Sequence, residues 1–506
     1  MKLNISNLHI NLDISKNICD DCYIGNRGYT ISKKNLTNKQ IENIKNHLTV
    51  KPRIMGKLSQ EHSYPVYLES INKLYVPKFW GIINIGFVKH VKLNIGNDIN
   101  CNFIGELREY QNNVIDNYLK SINLYSDDNN IVEDNQVGSS IINLGCGKGK
   151  TVIAIKIISI IKKKTIIFVH KTFLKDQWIE RINQFMPEAS IGYIQGQQID
   201  IENRDIVIAM IQSISMKEYP VDLFKEFGFS IYDEVHHTPS HIFSNCFKQV
   251  NTIYSLGMTA TIERKDGLSH ILNMYLGDIC YRDVSDLYTN VLVKVIHYKI
   301  DNSEYNSVEL DNRGHVKYSN MISKISNFND RSDFIIKTII NELYINPKQQ
   351  FIVLSHNRST LNYFSKQLLE KNQDVGFYVG GMRQQDLKKS ENCTIILATY
   401  SMAAEALDIK SLTTLVLATP KTDIIQAVGR ILRSQHEQPL IIDIVDHHTV
   451  FLNQFTKRKR FYNNNKYNII EINSDKYLET IESKDLSLYL WKKYEKTNKK
   501  NIKCLI

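Results

Sequence analysis

Residues 145–151 read GCGKGKT, a run in which glycines alternate with residues that can carry chemistry. Gly145, Gly147 and Gly149 allow the backbone to curl tightly and turn several N–H groups inward. The result is a concave anion site at a helix start, where the helix dipole also favours phosphate. Cys146 and Lys148 complete the lining of that cradle. Lys150 is spaced to reach the outer phosphates of a nucleotide, and Thr151 to offer its hydroxyl to Mg2+. Leu144 stands where the usual pattern begins with glycine. Taken alone, the string also fits an ordinary glycine-bearing turn between a strand and a helix.

Three other groups could complete such a site. Asp233 and Glu234 end an apolar run, FSIYDEVHH. One carboxylate can hold the metal while the other orients and deprotonates a water, as phosphoryl transfer to water requires. His236 could join the phosphate site to neighbouring segments. In QAVGRILR, Arg430 and Arg433 are three apart, on one face of a helix, where two guanidinium groups could stabilise charge on a transferring phosphate. Gln426 and Gly429 beside them strengthen that reading over a plain solvated face. Gln111, upstream of the glycine run, could pair its amide with an adenine edge.

These residues must be positioned by a scaffold, and the apolar pattern predicts one. Strands are expected at Thr165–His170, Asp205–Ser213, Phe229–His237 and Ile253 onward, each separated by a helical stretch. Continuous apolar strands alternating with helices predict a parallel sheet covered on both faces. A second such unit follows, with strands at Gln350–His356, Thr394–Tyr400, Thr414–Pro420 and Leu440–Asp446, and no second glycine loop. The fold class expected is therefore α/β, with two tandem parallel-sheet lobes, a small strand-rich N-terminal domain and a basic C-terminal extension. A nucleotide sandwiched between the lobes is the arrangement this duplication suggests. The boundaries expected are 1–100, 101–290, 291–450 (beginning with an irregular linker) and 451–506.

Composition sets limits. At 506 residues, 42% hydrophobic and 23% charged, the chain is long enough for several globular domains. Its net charge of +10 is compatible with an anionic partner. From Phe451 onward 13 Lys and Arg face 6 Asp and Glu, so 13 − 6 = +7 of that charge lies at the C-terminal end. Eight scattered cysteines suit a reducing compartment, and Cys19 with Cys22 reads as an incidental pair. No signal peptide or membrane-spanning run is visible, so a soluble intracellular protein is expected. In the N-terminal region Lys73, Lys78 and Lys89 are candidate backbone contacts, although a plain solvated face is the better reading of any one of them.

The ordered set LREYQ, GCGKGKT, FVHKTFLKDQW, DEVH, TAT, ATYSMAAEALD and QAVGRILR resembles superfamily 2 helicases and translocases of the DExH type, over roughly Glu106 to Asp446. Within that superfamily TATIERKDG is similar to the xeroderma-pigmentosum group B and phage UvsW branch. Arg264, Lys265 and Asp266 stand where that branch has Arg-Glu-Asp, a charge reversal at the middle position. The segment before the core resembles helicases of large nucleocytoplasmic DNA viruses, related to the poxvirus transcript-release helicase.

The resemblance implies that the two lobes are RecA-like, with ATP and Mg2+ as cofactors, Gln111 on adenine, Lys150 and Thr151 on phosphates and metal, Asp233 on metal and Glu234 on water. It further implies that Thr259 and Thr261, with Gln426, couple hydrolysis to lobe movement, that Asp408 lies near the nucleotide, and that Arg430 and Arg433 are trans-lobe fingers. Ala406 replaces the glycine usual in that motif. Single-stranded nucleic acid, DNA before RNA, would be met by Lys171, Thr172, Gln212 and Ser213 in the first lobe and Asn357, Arg358 and Thr399 in the second. Lys457, Arg458, Lys459 and Arg460, followed by Phe461 and Tyr462, offer cations and stacking rings, or else a solvated basic helix. A viral transcription or replication complex is the partner context implied, in host cytoplasm or virion. Two activities fit this set: a strand-displacing motor, or an ATP-gated clamp that releases a transcript without processive unwinding.

Overall fold

The computed structural model describes residues 21–51, 63–123, 137–145, 147–235, 244–260, 267–283, 290–405, 409–432 and 436–483. Two compact units divide at Val284 and Ser285.

The first unit is built on an eight-stranded sheet. In spatial order its strands are Gln198–Asp200, Ile191–Gln195, Ile206–Met210, Thr165–Val169, Phe229–Tyr232, Tyr254–Thr259, Gly138–Asn143 and Ile279–Arg282. All pairs are parallel except the outermost, Gln198–Asp200 against Ile191–Gln195. The central strands are buried along their whole length, as Ile-, Val- and Phe-rich strands covered on both faces should be. Helices Glu109–Ser121, Lys150–Ile161 and Thr172–Phe185 cover one face, with Ile115, Tyr118, Ile153, Ile157 and Trp178 packed into a single core.

The N-terminal region is a five-stranded, mostly antiparallel sheet ordered Leu68–Glu69, Lys73–Val76, Gly28–Ser32, Tyr23–Gly25 and His90–Val91. It is not a free-standing appendage. Its core residues Tyr29, Leu74 and Trp80 belong to one continuous cluster with Phe168, Tyr232, Phe247 and Tyr275 on the second face of the large sheet. Tyr275 donates its hydroxyl to the Val66 carbonyl at 2.8 Å, and Asn251 its amide to Asn26 at 3.0 Å. Helix Lys78–Asn84 crosses so close to the sheet that a Cβ at Gly81 would fall 2.2 Å from the Tyr29 ring.

The N-terminal lysines divide. Lys89 is exposed, and Lys73 donates to the Tyr23 hydroxyl at 3.1 Å. Lys78, expected at the surface, is only 3% exposed. Its ammonium lies 5.5 Å from the centre of the Phe79 ring, and burial pushes its pKa down to about 8.

In the second unit seven strands, all parallel, are ordered Val375–Tyr378, Ile395–Thr399, Phe351–Ser355, Thr414–Leu417, Leu440–Asp446, Leu292–Tyr298 and Asn468–Asn473. Three of these, Val375–Tyr378, Leu292–Tyr298 and Asn468–Asn473, were not among the strands expected from the sequence. The stretch after Val291 opens with a regular strand, and the C-terminal region supplies both helix Thr449–Asn464 and an edge strand. Leu292–Tyr298 and Asn468–Asn473 mix polar with apolar residues, and Val375–Tyr378 is only four residues long, which weakens their signal.

Strand Leu440–Asp446 carries two buried acids on opposite faces, as residues three apart in a strand must lie. Asp443 receives Arg458 in a two-pronged pair, Nε to Oδ2 at 2.8 Å and Nη2 to Oδ1 at 2.9 Å, and the Tyr462 hydroxyl at 2.9 Å. Asp446 receives Arg331 and the Tyr305 hydroxyl. Arg458 is 1% exposed, so this residue of the basic run is an internal tie rather than a phosphate contact, and Tyr462 is likewise buried and unable to stack on a base. Lys459 pairs with Glu471 on the added strand. Lys457 and Arg460 are exposed.

Two outcomes follow from these buried charges. Arg458→Ala leaves the Asp443 carboxylate without its partner and should lower the stability of the second unit by about 3–5 kcal/mol in denaturant unfolding. Lys78 has a folded-state pKa of about 8, below the ordinary lysine value of 10.5. The unfolded chain therefore holds more protons between those values, and stability should rise as pH climbs through that window. Lys78→Met should abolish that rise, raise stability at pH 7 by up to about 3 kcal/mol, and be read by thermal unfolding followed at Trp80.

Candidate functional site

Parallel strands deliver their carboxyl ends to one edge of a sheet, where ligands of open α/β folds bind. In the first unit that edge gathers the glycine loop after Asn143, Asp233 and Glu234 after Tyr232, Thr259, His170 with Lys171, and Gln212.

The loop is held from three sides. At its start the Leu144 N–H donates to the Thr259 carbonyl at 3.0 Å, so the loop and the TAT segment are joined directly. Gly147 and Gly149 have φ values of +76° and +78°, in the left-handed region that glycine adopts without strain. Helix Glu109–Ser121 then clamps the loop from the side. Tyr110 donates its hydroxyl to the Lys148 carbonyl at 2.9 Å, and Gln111 its amide N–H to the same oxygen at 3.3 Å. Gln111 is buried and also accepts the Arg108 N–H, while a Cβ at Gly149 would fall 2.4 Å from its amide nitrogen. The expected adenine-reading glutamine therefore sits against the loop itself. Tyr110 shares that task.

Lys150 and Thr151 open helix Lys150–Ile161, with left-handed Gly149 at its N-cap. The Lys150 ammonium donates to the Leu144 carbonyl at 3.3 Å and lies 3.5 Å from a Glu234 carboxylate oxygen. The loop lysine and the strand-end carboxylate, 84 positions apart in sequence (234 − 150 = 84), are thus neighbours.

Asp233 is 7% exposed and firmly placed. Its Oδ2 accepts the Trp178 indole N–H at 2.9 Å, its Oδ1 the Glu234 N–H at 3.0 Å, and its own N–H donates to Phe168. Burial, with Glu234 alongside, pushes its pKa upward, while Trp178 and Lys150 hold it down. Glu234 adopts φ +47°, a left-handed conformation uncommon for a side chain of its size and found where surrounding structure enforces it. Trp178 was missed by sequence reasoning. Its signal was a large indole on the buried stripe of a helix, and a buried indole N–H requires a partner.

Further along the edge, Gln212 donates to the His170 carbonyl at 2.7 Å, bracing the turn that presents Lys171. The Ser213 hydroxyl accepts the Gly196 N–H at 2.8 Å.

The second unit places its own set at the corresponding edge. Asn357 stands at the N-terminal boundary of helix Arg358–Glu370, Arg358 is exposed, and the Thr399 hydroxyl lies 3.2 Å from that of Ser401. Gln426 and Arg430 lie on helix Ile425–Ile431. Arg430 is 6% exposed and donates its Nε–H to the Ala403 carbonyl at 2.7 Å, engaging part of its guanidinium within this unit. Cys146, His236, Thr261, Ala406, Asp408 and Arg433, with the triplet Arg264–Asp266, lie outside the described residues.

Oxygen ligands suit Mg2+, and a buried carboxylate whose position is set by an indole and two backbone bonds, near the hydroxyl-bearing first turn of a helix, is a donor set compatible with it.

Residues 104–264 match the family described as Type III restriction enzyme, res subunit, and residues 333–435 match the Helicase conserved C-terminal domain. A protein of Acanthamoeba polyphaga mimivirus, named as an ATP-dependent RNA helicase, is 34% identical over 457 residues, covering 87% of this chain and 85% of its own. A protein of African swine fever virus (isolate Pig/Kenya/KEN-50/1950), also named as an ATP-dependent RNA helicase, is 25% identical, covering 71% of this chain and 75% of its own. Among solved structures, phage T4 UvsW aligns at 16% identity and a TM-score of 0.35 over 90% of this chain and 100% of its own. At 34% identity to the mimivirus protein over 87% of its length, the chain belongs to the superfamily 2 helicases, enzymes that hydrolyse ATP.

Proposed function

We propose that the chain is a nucleic-acid-stimulated motor in which the glycine loop binds the phosphates of ATP and hydrolysis moves a single strand along the carboxyl edges of the two sheets. The observation that carries this reading is the meeting of Lys150 with Glu234 beside the buried Asp233. Lys150 would leave its carbonyl and carboxylate partners for the phosphates, and Glu234 would then be released to orient and deprotonate water. Asp233 and Thr151 would hold Mg2+, which supplies charge neutralisation across the phosphates. Arg430 and Arg433 are proposed to stabilise charge on the transferred phosphate. Thr259, one hydrogen bond from the loop, would pass the state of the nucleotide into the TAT segment together with Thr261, with Gln426 as its counterpart in the second unit.

Strand contact is proposed at Lys171, Gln212, Asn357, Arg358 and Thr399, with Lys457 and Arg460 adding charge. Contacts of this kind grip backbone and not sequence. The mimivirus and African swine fever virus relatives are named for RNA, whereas the sequence resemblance leans to DNA. ATPase stimulation compared across single-stranded DNA, duplex DNA and RNA assigns the strand. Displacement of a tailed duplex separates a motor from a clamp; stimulated ATPase that displaces no duplex would sink the motor.

Lys150→Ala should reduce ATP turnover by about a hundredfold or more while changing nucleic-acid affinity little; near-normal turnover would overturn the loop assignment. Glu234→Gln should keep ATP binding and lose hydrolysis to a similar degree. For the basic helix, Lys457→Ala with Arg460→Ala should weaken strand binding and reduce its salt slope by about 1 per cation removed; an unchanged slope returns both residues to the solvated surface.

A further inference from the structure

The donors of the glycine loop already have an anionic partner. Asp283 follows the edge strand Ile279–Arg282, and its Oδ2 lies 2.5 Å from the Lys148 ammonium. The same oxygen accepts the Gly145 N–H at 3.3 Å. This carboxylate is placed by the fold: the Asp283 N–H donates to the Asn143 carbonyl at 2.9 Å, extending the sheet one residue past the strand. Both side chains of the pair are largely shielded, at 14% and 11% exposure. A Cβ at Gly145 would come within 3.2 Å of the Asp283 oxygen, so the carboxylate closes that side of the loop.

A carboxylate oxygen bound by a backbone N–H and a lysine makes the same kind of charge-assisted contacts that a phosphoryl oxygen makes in such a loop. Carboxylate and phosphate cannot hold these donors together without strong like-charge repulsion in a poorly hydrated site. We propose that Asp283 is a resident competitor for the phosphate cradle, a carboxylate that nucleotide phosphates must displace from Lys148 and Gly145 and that thereby sets the nucleotide affinity of the loop. The inference rests on the reading of Gly145–Thr151 as a phosphate site. Its direction is specific. A residue that merely braced Lys148 for phosphate would strengthen nucleotide binding, whereas a competitor weakens it in proportion to the time it occupies the donors. The effect must also depend on phosphate, because a nucleoside without phosphates does not contest those donors.

The test uses the full chain with ADP and adenosine as probes, measured by calorimetry at one ionic strength. Asp283→Asn keeps the shape and the accepting oxygen and removes the charge. ADP should bind about three- to tenfold tighter to this variant, and adenosine should bind as it does to the original chain. With Lys148→Ala also present the gain should shrink, because the contested cation is gone. Equal or weaker ADP binding by Asp283→Asn overturns the proposal, as does an equal gain for adenosine. Thermal unfolding identifies a variant that fails to fold, in which case Asp283→Ser carries the same comparison. Failure of the underlying reading looks different: Lys150→Ala would then bind ADP as the original chain does, whatever the behaviour of Asp283.

Discussion

Two backbone hydrogen bonds at the end of one strand fix where the glycine loop begins. The Leu144 N–H reaches Thr259 on one side, and the Asn143 carbonyl receives the Asp283 N–H on the other. Strand Gly138–Asn143 is therefore pinned between two parallel neighbours up to its last residue, and the glycines start to turn only beyond it. The freedom of Gly147 and Gly149 is useful because the strand that leads to Leu144 is held on both sides. Tyr110 and Gln111 on the Lys148 carbonyl close the remaining side. A loop of glycines would otherwise sample many shapes; here the sheet and one helix select among them before any ligand arrives.

Much of this was legible in the sequence, because the features involved are local or repetitive. Continuous apolar strands between helical stretches specify a parallel sheet, and such a sheet sends the residue after each strand to a common edge. That logic alone joins the glycine loop to Asp233 and Glu234. What stayed hidden depends on which distant side chains meet. Asp283 carries no motif, and its place follows from the pairing of an edge strand with Gly138–Asn143. Trp178 looks like any core tryptophan until its indole N–H is found on Asp233. In the basic run, Arg458 and Tyr462 were misread. Phe451, Phe455, Arg458 and Tyr462 follow the spacing of a buried helical stripe, and Arg458 belongs to that stripe and not to its charged neighbours.

The second unit shows what an all-parallel sheet does with acidic residues in its interior. Asp443 and Asp446 point to opposite faces of one strand, and each is met by an arginine from a different helix and by a tyrosine hydroxyl. Such pairs need contribute little net stability, since removing two charges from water offsets much of their attraction. They are selective, however, because a guanidinium fork accepts only one placement of its partner. Helices Asn329–Ile345 and Thr449–Asn464 are thus registered against the sheet by chemistry that apolar packing alone would not impose.

Arg458 also bears on where the working unit ends. The match to the helicase C-terminal domain stops at residue 435, and strand Leu440–Asp446 would look like a natural place to finish the fold. A chain cut after residue 450 would strand the Asp443 carboxylate inside the protein and strip the outer neighbour from Leu292–Tyr298, leaving an open apolar edge. The segment that looks like a charged appendage is the closing piece of the second sheet. Part of the positive charge written into it is consequently turned inward, and the field presented to an anionic partner is smaller than a count of lysines and arginines implies.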